Sequence, residues 1–546
     1  MGTFRARRIG IDTIHGEGGV GGKADGLLAL AAMEIGPPLA PLRNEILSYE
    51  VHERYRACGA FDEETASLVE GLAMAFDCPI AVRPSQPSED DPERPTSGGS
   101  VSYMLPNNHP DPRCRVRQLR RALKHIYECS ATGFCRDPRA PTAVIVSPIH
   151  GILSRSNVGT LHYPLSSGVA DSICTHPISG VEATVGFGFD QGFARVAFGH
   201  GYSTVRMDFD VVPVLGILGH PRPAPPPVQQ RYLYALNLER NAELAGQEME
   251  TMCGPLSLQH ADPVALGHFG SARSVDFKTL VEEDRFGYAS GLRTIMEKIA
   301  SHARAPFQIE FTFNVIGGEG VFHVVQYKTL RNLRSERVEI PEDGRRALLD
   351  TNRVQGHGVI QAVSWAVVIN PFTFEEARRG DIRSALCDLN QRLKADGERY
   401  VLICPGKVGT TDPRLGFHLA FDDLDGAALI VEYGYDVHGA PTVEISRDEL
   451  TGGTFGSHFL YQILGGAEAD RRIRQWKALG SQGTHFLTNL IANRTIFAHV
   501  DPTTNLLDGW FFIPPDGHET SPIYAKRFEE PVTIYADIFA RRCQVK

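Results

Sequence analysis

Gln308, Glu310, Gln326 and Lys328 are the residues on which chemistry could rest. They form two polar pairs, each split by one apolar residue, in the stretch PFQIEFTFNVIGGEGVFHVVQYK that begins at Pro306. A carboxylate and an amide oxygen held close together suit a hard, octahedral Mg²⁺ that also keeps water and nucleotide phosphates. A lysine beside them supplies a point charge for phosphate. Two more basic residues are candidates. Lys23 ends the glycine-rich run GGVGGK, ahead of an apolar helix-forming segment over 24–32. A glycine-rich loop that opens a helix offers backbone N–H groups to phosphate, although a flexible turn accounts for the same glycines. The run is not a Walker A loop, because Ala24 follows the lysine where a hydroxyl residue is required. Arg83 comes directly after the short apolar run Pro79–Val82, where it either faces a cleft or makes a surface ion pair.

For Glu310 and Gln326 to meet, two antiparallel strands must hold them in register. Phe307, Ile309, Phe311, Phe313 and Val315 alternate with Gln308, Glu310, Thr312 and Asn314, the period-two pattern of a half-buried strand. Gly317, Gly318 and Gly320 permit a tight reversal into a second strand over Val321–Lys328. A hairpin centred on Gly318 sets Glu310 opposite Gln326 and Gln308 opposite Lys328, all on one face. Paired side chains on one face lie roughly 5 Å apart at Cβ. A slip of one residue would send them to different faces. The same pattern also describes the solvated face of an ordinary amphipathic hairpin.

The 546 residues allow two to four domains with sizeable cores. A hydrophobic share of 42% and a charged share of 22% are those of a globular chain. A net charge of −10 argues against a general nucleic-acid binder. No run approaches the roughly 18 apolar residues of a membrane span, and no signal-peptide core follows the N-terminus. The ten cysteines are scattered without CxxC pairs, as in a reducing cytoplasm. The expectation is a cytoplasmic, enzyme-sized protein, compatible with a homo-oligomer, with neither membrane nor nucleic acid among its partners.

Along the chain, helices are expected over Glu63–Phe76, Arg115–Tyr127, Lys278–Ala303 and Phe374–Asp396. Strands are expected over Ala143–Pro148, Tyr232–Leu238, Val359–Ile369, Tyr400–Ile403 and Ala427–Tyr433. Residues 84–100, rich in Pro, Ser, Gly and acid, predict a mobile loop, and Pro221–Pro227 a stiff link. Residues 240–277 carry little signal. Val185–Gly201 is glycine-rich but lacks the order of a dinucleotide fingerprint.

Several of these stretches together resemble the ATP-grasp domain of phosphoenolpyruvate synthase and pyruvate phosphate dikinase. The hairpin resembles that family's Mg·ATP strands, which carry Asp-x-Glu and Gln-x-Arg. Here Gln308 stands for the aspartate and Lys328 for the arginine, while Glu310 and Gln326 match. GGK before a small-residue helix is where the family places its first nucleotide lysine, matching Lys23. PIAVRPSQPSED resembles the family strand whose arginine contacts ATP phosphates, matching Arg83, Ser85, Glu89 and Asp90, with Pro84 in place of a serine. YPLSSGVADS and the glycines of 185–201 resemble further parts of the same domain.

The resemblance implies an α/β (α+β) architecture, an ATP-grasp fold of two lobes followed by a C-terminal α/β module. The lobes would span 1–100 and 101–335, and the module 350–546. It implies ATP and Mg²⁺ as cofactors, metal binding by Glu310 and Gln326, and nucleotide binding by Lys23, Arg83, Gln308 and Lys328. The swivelling phosphohistidine domain and the pyruvate-binding barrel of full-length members have no counterpart here. The activity expected is phosphoryl transfer from Mg·ATP to a small-molecule acceptor, with Lys23, Arg83 and Lys328 as its catalytic residues. An ATP-grasp ligase acting through an acyl phosphate and a non-catalytic ATP-binding regulator are the alternatives. The C-terminal stretches containing Lys407 and Asp412, and the repeated G-[ST]-H-F unit with His458 and His485, resemble an extra module of synthase-like bacterial proteins. No role follows for them.

Overall fold

The computed structural model describes residues 6–87, 102–129, 140–172, 192–201, 204, 214–217, 220–223, 230, 232–241, 252–271, 274–330, 337–344, 346–370, 379–405, 407–408, 416–417, 419, 423–433, 495–500, 507–537, 540 and 542–546. They divide into two compact units, one holding the described residues up to Thr329 and the other those from Leu330 onward.

The first unit is α+β and begins with a six-stranded mixed sheet. Its central strand, Ala143–Pro148, pairs with Glu45–Leu47 on one side and Ile80–Ser85 on the other. Period-two alternation gives this strand two apolar faces, as a sheet covered on both sides requires. Val144 and Val146 pack under helices Tyr49–Cys58, Glu63–Met74 and Pro112–Cys129. Ala143 and Ile145 face Ala24 and Leu27 of the helix Gly21–Ala31, and Val20 just before it. Asp62 caps the 63–74 helix by accepting from the Thr65 amide, a cap visible in the order D-E-E-T.

A second six-stranded sheet carries the hairpin. Strand Ser166–Asp171 lies between Phe193–Ala197 and Phe307–Ile316, and Glu319–Thr329 forms the edge. One face of this sheet is apolar: Ile309, Phe311, Phe313, Phe322 and Val324 pack with Leu292, Ile295 and Ile299 of the helix Tyr288–His302. That helix is shorter than the segment expected from 278, because Asp284, Phe286 and Gly287 all take left-handed backbone. The expected link at Pro221–Pro227 is corrected in part, since His220–Pro223 is a strand on the other edge of the same sheet. An edge tolerates proline because one side of the strand needs no N–H donors. The unassigned interval 240–277 supplies a strand over Met252–Ser257.

The second unit centres on an eight-stranded sheet in which Gly358–Ile369, Tyr400–Pro405, Ala427–Tyr433 and Ile496–Val500 are parallel neighbours. Helix Arg379–Ala395 covers one face through Ile382, Leu386 and Leu393. On the other face, Phe511 packs against Tyr524 and Val532 of the sheet's own strand Ile523–Asp537. No helix among the described residues is long and apolar enough to cross a membrane, and Cys58, Cys78, Cys114, Cys387, Cys404 and Cys543 are free thiols.

Candidate functional site

The hairpin has the cross-strand pairs that the spacing predicts: Glu310 opposite Gln326 and Gln308 opposite Lys328. The route to that register differs from a plain hairpin. Ile316 pairs with Glu319, so the reversal is a two-residue turn at Gly317 and Gly318, both with positive φ. Carried along unchanged, that register would put Val325 opposite Glu310 and Gln326 opposite Ile309. A bulge at Val325 adds one residue, and beyond it Gln326 returns to the face of Glu310.

This face is not solvated. Gln308, Gln326 and Lys328 are 4–5% exposed, and only Glu310 is half-buried. The amphipathic-hairpin alternative therefore fails, and a buried polar face needs specific partners. Arg83 reaches the hairpin right beside that face. It lies within the strand Ile80–Ser85 rather than after it, and its guanidinium donates to the bulged Val325 carbonyl and to Ser147 Oγ. The residue expected to face a cleft is thus pinned beside Gln326, across the gap between two sheets.

Lys23 stands half-buried in the first turn of the helix Gly21–Ala31. This helix lies against the hairpin so closely that a Cβ on Gly26 would sit 2.1 Å from the Tyr327 carbonyl oxygen. Lys23 is three residues from Gly26 and therefore on a neighbouring part of the helix surface. The expectation that the helix N-terminus exposes its N–H groups needs correcting. Gly22 N–H donates to the Gln86 carbonyl and Ala24 N–H to Ser85 Oγ, so two terminal donors dock the helix onto the Arg83 strand.

The structure thus gathers the elements bearing Lys23, Arg83, Gln308, Glu310, Gln326 and Lys328 within one unit. Lys407 belongs to the other unit, in the short strand Lys407–Val408. Glu89, Asp90, Asp412, His458 and His485 lie outside the described residues, as does most of the expected loop over 84–100.

Two charged residues on this face escaped the sequence reading. Asp171, 6% exposed, is directly cross-strand from Gln308 and accepts from its amide nitrogen at 2.5 Å. Burial pushes its carboxyl up, while the Gln308 hydrogen bond and the charges of Arg195 and Lys328 pull it down. Arg195, 4% exposed, lies on the next strand, where burial lowers its guanidinium to about 10 against the pull of Asp171. Period two along SSGVAD and FARVA marks both as same-face residues, and a lone arginine in an apolar strand was the readable signal.

A group of four histidines extends from His323, through His150, to His162 and His200. The rings of His150 and His323 stack at 4.3 Å, and His323 is opposite Thr312, two residues from Glu310. Burial lowers His162 and His323 to about 4 and His200 to about 3, and lowers His150 too, so all four are neutral at pH 7.

The donor set fits Mg²⁺ with nucleotide. Glu310 and Gln326 offer hard oxygen ligands, and Gln308 Oε1 is buried with no hydrogen-bond partner. No three His, Cys, Asp or Glu side chains among the described residues group to hold a metal alone. No protein-family model matches the sequence, and no curated protein is significantly similar to it.

Proposed function

We propose that this chain is an ATP-dependent phosphotransferase of the ATP-grasp kind, moving a phosphoryl group from Mg·ATP to a small-molecule acceptor. One observation carries the reading: Glu310 and Gln326 are cross-strand partners on a buried polar face, with Arg83 anchored to the Val325 carbonyl beside them. Mg²⁺ held there would neutralise charge that spreads over the transferred phosphoryl group. Lys23, Arg83 and Lys328 supply three positive charges on elements packed against one another, fit to hold phosphates in line with an acceptor. The buried face excludes water, which strengthens these contacts and protects the phosphoryl group from hydrolysis. Positioning and electrostatics account for most of such catalysis, so no protein nucleophile is needed.

A second reading, ATP binding without turnover, draws on the Gln308 amide, which is turned to Asp171 and offers no charge to a metal. Chromatography of nucleotides after incubation with Mg·ATP and candidate alcohols, carboxylates and amines separates the two. Acceptor-dependent ADP, or AMP and phosphate, is the expected result. Binding without turnover for every acceptor class would favour the second reading, and absence of binding would overturn both.

A further inference from the structure

Asp171 has no role in the proposed transfer so far, although it is a buried carboxylate one strand from the metal pair. It ends the strand Ser166–Asp171, and Gln308 stands between it and Lys328 in the ladder. Arg195 and Lys328 flank it as cations. The Gln308 amide nitrogen donates to Asp171 Oδ1. An ionised carboxylate accepts hydrogen bonds and cannot donate them, so with Asp171 ionised the amide nitrogen is the end that faces it. Gln308 Oε1 must then point away from Asp171. This oxygen is buried and has no hydrogen-bond partner, a situation that costs about 1–3 kcal/mol unless something satisfies it. Glu310 follows two residues later on the same face. A cation shared with Glu310, or water bound to that cation, would satisfy the oxygen.

We infer that Asp171 is a positioning residue for the metal: through its hydrogen bond it aims Gln308 Oε1 at the Mg²⁺ of Mg·ATP as a third protein oxygen beside Glu310 and Gln326. It also places, one strand away, the negative charge that an amide at 308 lacks. Carboxylates behind a ligand commonly act this way, and their removal costs 10–100-fold in metal affinity. The inference rests on the Mg·ATP reading of the face.

The test is the Mg²⁺ concentration that half-saturates the ATP-induced thermal shift of the full chain. Wild type comes first: no Mg²⁺-dependent shift overturns the Mg·ATP reading itself. Given that shift, Asp171→Asn is expected to raise the half-saturating Mg²⁺ about tenfold or more. The double change Asp171→Asn with Gln308→Asp, which returns a carboxylate to 308, is expected to recover most of that loss. A purely structural Asp171 would lower the melting temperature of the ligand-free protein and leave the Mg²⁺ midpoint unchanged, which overturns the inference. If Asp171→Asn does not fold, Gln308→Met removes the aimed oxygen directly. The same rise is expected there, and an unchanged midpoint overturns the inference equally.

Discussion

Arg83 joins two sheets through one side chain. Its guanidinium meets the carbonyl of the bulged Val325 and the Ser147 hydroxyl, and it is 7% exposed. Arg83→Met keeps the packing volume of the stem and removes the donors. Stranding a buried acceptor costs about 1–3 kcal/mol, and that loss is expected in urea denaturation. A change under about 0.5 kcal/mol, the range of an ordinary surface substitution, would contradict the anchoring role. The four histidines give a second prediction at this scale. Each has a folded-state pKa below the usual 6.5, so the unfolded chain binds more protons at mildly acid pH. Stability is then greatest above 6.5 and falls as the pH drops from 6.5 toward 4. Each unit of separation is worth about 1.4 kcal/mol per group. Asp171, whose carboxyl is raised, works in the opposite sense and offsets part of the loss. Melting temperatures measured between pH 7 and 4.5 should decline steadily; a flat profile would contradict the buried neutral imidazoles.

Among the elements, the helix Gly21–Ala31 and the hairpin define each other's position through Gly26. Alanine favours a helix over glycine by about 1 kcal/mol. A methyl group at 26, however, would meet the Tyr327 carbonyl at 2.1 Å, and overpacking costs about 1–3 kcal/mol. The clash wins, so Gly26→Ala is expected to destabilise the protein in urea denaturation and to weaken ATP binding by moving Lys23. A stabilised variant would show that the helix and hairpin do not touch there. Much of this was legible in the residues: alternation in PFQIEFTFNV and the glycines behind it specify the hairpin and its paired side chains. The bulge was not, although the doubled Val324-Val325 breaks the alternation at the place where the register shifts. The helical sequence over Lys278–Ala303 is divided into Lys278–Val281 and Tyr288–His302, because left-handed backbone at Asp284, Phe286 and Gly287 interrupts it. The docking of the GGVGGK loop was illegible for a different reason. Backbone N–H groups look alike in any sequence, and only the fold shows that Ser85 and Gln86 take two of them.

At the scale of the whole molecule, the two units have separate cores and separate sheets, and the candidate nucleotide residues all belong to the first. Asp171 and Arg195 became visible only when four strands distant in sequence were laid side by side; no local pattern joins residues 171, 195, 308 and 328. The second unit has a mixed sheet with Glu432 fully buried at a strand end, accepting from the Val408 amide. Everything assigned to the first unit depends on Mg·ATP binding at the bulged hairpin. Titration calorimetry of ATP into wild type and Glu310→Ala, each with and without Mg²⁺, tests this most directly. Mg²⁺-dependent binding to wild type is expected, and Glu310→Ala is expected to abolish it or weaken it at least tenfold. Equal affinity for the two proteins, or wild-type binding that ignores Mg²⁺, would contradict the assignment.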